Sequence, residues 1–211
     1  KRIAFLLCAW ACLYALGGSA AQARTLTMAV TSEPSSMDPL FSRTANNIQS
    51  AENIFERLVS QDGNLQIHPG LAVSWRALDP TTWEFALRPG VRFQDGSPFT
   101  SADVAFSLQR ARNVPNSPAP FSGAVANIAR IETPTPLTVR VHTITPSPAL
   151  VEQVGMVYIV SQRAATGHSS SDYGSPAVAV GTGPYRLKRW IPGDRVELIR
   201  NDFYWGTRPQ F

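Results

Sequence analysis

The sequence predicts a mixed α/β chain, and three observations carry that expectation. Apolar and polar residues alternate at Trp83-Phe85-Leu87 and at Leu137-Val139-Val141, the period of a strand with one buried face. Ile48, Ala51, Phe55 and Leu58, and later Val104, Leu108 and Ala111, recur at helical spacing. Gly, Pro, Asp and Asn pairs punctuate the chain between these segments, so its strands and helices should be short and intermixed. The 211 residues are 44% hydrophobic and 16% charged, a balance that fits a globular core and excludes a disordered or coiled-coil chain.

The N-terminus reads Lys1-Arg2, an apolar run from Ile3 to Leu16, Gly17-Gly18-Ser19 and the small-residue site Ala21-Gln22-Ala23. This is the pattern of a signal peptide over residues 1–23. The apolar run is too short to span a bilayer comfortably, and no later stretch approaches the ~20 apolar residues that spanning requires. Cys8 and Cys12 both lie in this segment, so the exported part is expected to carry neither disulfide nor thiolate chemistry. Neither cysteine sits in a convincing lipoprotein cleavage box, which favours free release over a lipid anchor. Losing Lys1 and Arg2 lowers the formal net charge from +4 to +2. The remaining basic residues are scattered, so nucleic-acid binding loses its main support.

Residues 25–30 alternate Leu26, Met28 and Val30 with Thr25, Thr27 and Ala29, which predicts a short strand. The loop Ser32 to Pro39 follows, with two prolines that forbid regular structure. Thr44 is the expected cap of a helix carrying Ile48 to Leu58, and Asp62-Gly63 signals a hairpin. After the strand at 83–87, Arg88-Pro89-Gly90 turns the chain into a second short strand, Val91 to Phe93. Asp95-Gly96-Ser97-Pro98 turns it again. Thr100 and Asp103 resemble a capping box with Asp in place of Glu, opening the helix of Val104, Leu108 and Ala111. Residues 113–124 are expected as an exposed loop, 137–141 as a strand, 149–154 as a short helix, 167–176 as a loop, and 185–190 and 195–200 as strands.

Tests for chemistry come out negative. A calcium loop around Gly96 would have Val91 at its first ligand position. His68, His142 and His168 lack any paired ligand spacing. Gly181-Thr182-Gly183 has Arg186 where a dinucleotide loop needs its third glycine, and no Gly-Lys-Ser/Thr phosphate loop occurs. No Gly-x-Ser-x-Gly elbow is present. Asp95 and Asp103 suit a turn and a helix cap better than a paired-carboxylate site. No catalytic residue, metal ligand or cofactor is therefore expected.

Several segments together resemble the family 5 extracellular solute-binding proteins, the periplasmic peptide- and nickel-binding components of ABC importers. They are Ser32-Glu33-Pro34 with Met37-Asp38-Pro39, Phe55-Glu56-Arg57-Leu58-Val59, Pro69-Gly70-Leu71-Ala72 with Ser74-Trp75, and above all Trp83 to Ser107. In this last segment Phe85, Leu87-Arg88, Gly90-Val91, Phe93, Asp95-Gly96, Pro98, Thr100 and Ala102-Asp103-Val104 keep the family's order, with Ser101 a departure beside the Thr-Ala pair. Gly181-Thr182-Gly183-Pro184-Tyr185 and Asn201 to Trp205 complete it.

The resemblance implies a periplasmic binding protein-like fold of class II type, two α/β lobes with a hinge, of which this chain corresponds to the N-terminal portion. It implies a first-lobe segment over 24–65, an inserted subdomain over 66–180 and a first-lobe return over 181–211, with the second lobe and most ligand-selecting residues lying beyond. It further implies a monomer that captures a small-molecule or short-peptide ligand by lobe closure and hands it to ABC permease subunits in the inner membrane, without catalysis. Glu33, Ser35 and Met37 in the first loop, with Gly183 and Tyr185 in the return, are the ligand-binding candidates. The alternatives left open are a secreted hydrolase and a non-transport sensor module on the same scaffold.

Overall fold

A computed structural model describes residues 25–211. The signal peptide expected over residues 1–23, with Cys8 and Cys12, lies outside the described residues. Residues 25–30 form no strand: they are irregular and exposed, with no partner strand paired to them among the described residues. Alternation yields a strand only where a neighbour supplies the ladder of hydrogen bonds.

Helix α1, Ala45–Ile54, begins behind Thr44, whose extended backbone sets the cap position and whose hydroxyl donates to Asn47 Oδ1 at 3.1 Å. Its buried residues are Asn47, Ala51 and Ile54. Phe55 is already extended, so Phe55 and Leu58 fill the core from beyond the helix and not from its face. Strand β1, Glu56–Arg57, comes next, then the hairpin β2, Val59–Gln61, with β3, Ile67–Pro69. Asp62 closes that hairpin, its Oδ1 accepting from the Asn64 and Gln66 amides at 2.9 Å.

Strands β4, Ala72–Asp79, and β5, Thr82–Leu87, precede helix α2, Ser101–Arg110. A short helix α3, Ser122–Val125, leads to β6, Ile128–Thr135, and β7, Thr138–Thr143. The four longer strands pair antiparallel in the order β4-β5-β7-β6. One face buries Phe85, Leu87, Val139 and Val141, and α2 packs on β6 and β7. The other face aligns Arg76, Glu84, Arg140 and Glu132 in one row across the sheet. Glu84 accepts from Arg76 at 2.7 Å and Arg140 at 2.8 Å, and these two bonds hold its carboxyl below the usual range. Opposite charges on neighbouring strands suit this solvated face.

Helix α4, Leu150–Val154, strand β8, Tyr158–Ile159, and helix α5, Gln162–Ala165, follow, then a 3-10 turn at Ser170–Gly174. β8 pairs antiparallel with β1. The chain ends in the hairpin of β9, Tyr185–Ile191, and β10, Arg195–Arg200. Residues Ala29–Pro209 form one compact unit, in which Phe55, Phe85, Phe93, Tyr158 and Tyr173 are the largest fully buried side chains.

Two further expectations need correction. Val91–Phe93 is not a strand, because Arg92 makes only an isolated bridge to Pro98, which has no N–H to extend a ladder. Instead Phe93 N donates to Ser97 O and Phe99 N to Val91 O, a tight loop that buries all three apolar side chains. Gly96 sits at φ 82°, the left-handed region that glycine adopts freely. Within 113–124, expected as an exposed loop, Val114, Phe121 and Ala124 are buried and α3 begins. The capping box does form: the Thr100 amide donates to Asp103 Oδ2 at 2.9 Å. Asp103 Oδ1 also accepts from Gln162 N at 2.9 Å, so one carboxylate starts α2 and anchors α5.

Candidate functional site

The first loop is pinned from below by Asp38, whose side chain is fully buried. Leu40 N donates to its Oδ1 at 3.0 Å, and Ser170 Oγ to its Oδ2 at 2.5 Å. Arg110, at the last turn of α2, adds a two-pronged pair to both oxygens. Burial works against the Arg110 charge, but the bonds to Asp38 outweigh it and raise its pKa. The guanidinium lies 5.0 Å from the ring centre of Tyr173, whose phenol is pushed up by burial and whose hydroxyl has no partner among the described residues.

Above this anchor the candidates divide. Ser35 is exposed and donates from its amide and hydroxyl to Asn47 Oδ1, both at 3.2 Å. Glu33 is exposed, and its carboxylate accepts from Gly193 N at 2.7 Å in the turn between β9 and β10. Met37 is 3% exposed and belongs to the core.

Gly183 and Tyr185 lie at the other end of α1. Gly183 N donates to Ile54 O at 2.9 Å, and a Cβ there would meet Asn53 O and the Ile54 carbonyl carbon at 2.8 Å. Gly181 is tighter still, with Ile54 O only 2.0 Å from a would-be Cβ. Tyr185 is half-buried, and its carbonyl accepts from Gln94 Nε2 at 2.6 Å. Four of the five candidates thus flank one helix, with Glu33 and Ser35 near its start and Gly183 and Tyr185 at its end. They do not converge on one point.

Gln94 was not singled out by sequence reasoning, yet its side chain joins three segments. Besides Tyr185 it donates to Ile54 O at 2.8 Å and accepts from Gly181 N at 3.1 Å. Its own amide donates to Gly181 O at 3.0 Å. Nearby, Glu56 accepts from Trp205 Nε1 at 2.8 Å while Arg88 stacks on the Trp205 ring at 4.1 Å. Burial raises the Glu56 pKa, with the Trp205 bond, Thr182 and Arg88 offsetting part of that rise.

A depression of about 190 Å³ opens between α1, β1 and α3, lined by Arg43, Ile48, Arg57, Phe121 and Met156. Arg57 stacks on the Tyr158 ring at 4.3 Å and pairs with Glu52 at 3.0 Å. Burial pushes the Tyr158 phenol up to about 12, against the pull of Arg57. No local motif marks this depression, since its residues come from four separated segments. A second, open depression of about 400 Å³ is lined by His168, Ser171, Asp172, Gly174, Ser175, Ala177 and Val178.

His68 faces Asp62 at 2.9 Å, His142 faces Thr82 and Glu132, and His168 faces Asp172. Among the described residues no three or more His, Cys, Asp or Glu side chains gather as a metal would need. Nor is any described helix long and apolar enough to cross a membrane.

Residues 66–211 match the family model described as the middle region of bacterial extracellular solute-binding proteins, family 5. The periplasmic murein peptide-binding protein of Escherichia coli is 28% identical over 88% of this chain, and the chain spans 37% of its length. The periplasmic oligopeptide-binding protein of Salmonella typhimurium is 30% identical over 90% of this chain and 38% of its own. Among solved structures, NikZ from Campylobacter jejuni in complex with Ni(L-His) superimposes with a TM-score of 0.75 at 26% identity, over 87% of this chain and 37% of that one.

Proposed function

Since the chain belongs to the bacterial extracellular solute-binding proteins of family 5, we propose that it forms the N-terminal portion of a periplasmic receptor for an ABC importer. The receptor captures a peptide-like solute between two lobes and delivers it to the membrane permease, acting as a monomer and without turnover. The observation that carries the reading is the family match over most of the chain, joined to similarity with relatives named for binding peptides. The segment before residue 66 and the return after 180 build the first lobe in this reading, with 66–180 inserted between them. The close approach of Gly181 and Gly183 to Ile54 supports the joining of the two first-lobe segments, because it holds the return against the end of α1.

Lobe closure is driven by contacts that the ligand makes only in the closed form. In this lobe Ser35, Glu33 and Tyr185 retain surface that a solute could meet, whereas Met37 and Gly183 shape the loops from beneath. The reading is tested by thermal unfolding of the full-length protein with di- and oligopeptides, nickel–histidine complexes and opine-like solutes. A ligand at 100 times its Kd stabilises by about 2.7 kcal/mol. A raised Tm with peptides supports the proposal, and no shift with any solute, or release of a product, refutes it. Nickel chelates are included because the Campylobacter neighbour is described with Ni(L-His).

A further inference from the structure

We infer that the depression bounded by Arg43 and Arg57 is a subsite for a ligand carboxylate carried on a short apolar stem. The inference rests on the solute-binding reading above and names the chemistry that this depression would select.

The lining combines two guanidinium groups with Ile48, Phe121 and Met156, and contains no carboxylate. Its floor is rigid. Phe121 is 3% exposed and meets Tyr158 edge to face, at 6.4 Å between ring centres. Tyr158 in turn carries the Arg57 guanidinium on its ring, and Glu52 holds that guanidinium from the outer side. Glu52 neutralises much of the Arg57 charge, so Arg57 acts chiefly as an oriented wall.

Arg43 differs. It is exposed and forms no ion pair among the described residues. Its backbone is nonetheless fixed, because Arg43 N donates to Ala119 O at 3.0 Å, Ser42 bridges Ala119, and Ser117 Oγ donates to Phe41 O at 2.5 Å. The stretch carrying the unpaired cation is thus tied to the segment that presents Phe121. Met156, 44% exposed, completes an apolar rim. An unpaired guanidinium over a fixed apolar floor favours an anion with an apolar neighbour, and planar carboxylates match a guanidinium in two-pronged geometry. A short peptide supplies such a group either as an acidic side chain or as its C-terminal carboxylate.

Calorimetric titration of the full-length protein separates these sources. Ala-Glu-Ala is compared with Ala-Gln-Ala, and Ala-Ala-Ala with its C-terminal amide, against the native protein and Arg43→Gln. One carboxylate-bearing peptide should bind about tenfold tighter than its neutral counterpart. Arg43→Gln should erase that preference while leaving the Tm of the ligand-free protein unchanged. The pair showing the preference identifies the source. Binding of all four peptides with no preference, or a preference that survives Arg43→Gln, overturns this inference and leaves the solute-binding reading intact. Failure of all four to bind the native protein counts against peptide capture itself and removes this subsite with it.

Discussion

Arg110 closes on Asp38 with both terminal nitrogens, Nη1 to Oδ1 at 2.9 Å and Nη2 to Oδ2 at 2.5 Å, and the carboxylate they meet is wholly buried. The pair ties the first loop to the last turn of α2. Removing one member leaves the other charged and without its counter-ion, which costs about 3–5 kcal/mol for a buried pair. Asp38→Ala and Arg110→Ala should each lower the urea midpoint by an amount in that range. The double variant should lose much less than the sum, as a double-mutant cycle in urea will show.

Gln94→Ala removes the side-chain bonds to Gly181 N, Ile54 O and Tyr185 O. A net loss of about 1–3 kcal/mol follows from leaving half-buried backbone groups unpaired. Hydrogen exchange should show the Gly181 amide opening before the amides of the four-stranded sheet.

Gly181→Ala places a methyl group where Ile54 O lies 2.0 Å away, against backbone that cannot step aside without moving α1. The expected cost is about 3 kcal/mol, at the upper end for overpacking. Gly63→Ala, with nothing within 4 Å of the added carbon, is the control and should change the urea midpoint little.

Glu56 gives a pH prediction of opposite sign to the usual buried carboxylate in an ion pair. Burial raises its folded pKa above the unfolded value, so the folded state binds more protons between the two. Its contribution to stability therefore falls as pH rises from the ordinary glutamate range, about 4.3, through the raised value, and is level above it. Glu56→Gln keeps an oxygen for Trp205 and removes the titration. The difference in unfolding free energy, variant minus native, should grow across that window and then plateau, while a flat difference would contradict it.

Much of the scaffold was legible because single segments carried their own signal. Trp83-Phe85-Leu87 alternate and become β5, Asp62-Gly63 turns a hairpin, and residues 185–190 and 195–200 are strands as expected. Strand β6 escaped notice because Ile128 and Ile131 are its only large apolar residues and Pro134 lies within it. Edge strand β4 exposes most of its side chains, so it shows no clean alternation. Residues 25–30 show the converse, a strand pattern with nothing to pair against. The candidate site was legible only as loops. Ser35 and Glu33 do reach the surface, but Arg43, Arg57, Phe121 and Met156 meet through the pairing of β1 with β8 and the Ser42–Ala119 bridge. Such long-range pairings leave no local trace in sequence.

The Gln94 junction also bears on the order in which the chain assembles. Its amide reaches back 40 residues to Ile54 and forward 91 to Tyr185, so none of these bonds forms from neighbours. Ile54 emerges from the ribosome long before Gly181 does. Until then its carbonyl lacks the Gly183 amide, and the end of α1 must wait half-made. Closing loops of that length is entropically slow, which places this seam among the last to set as the chain folds.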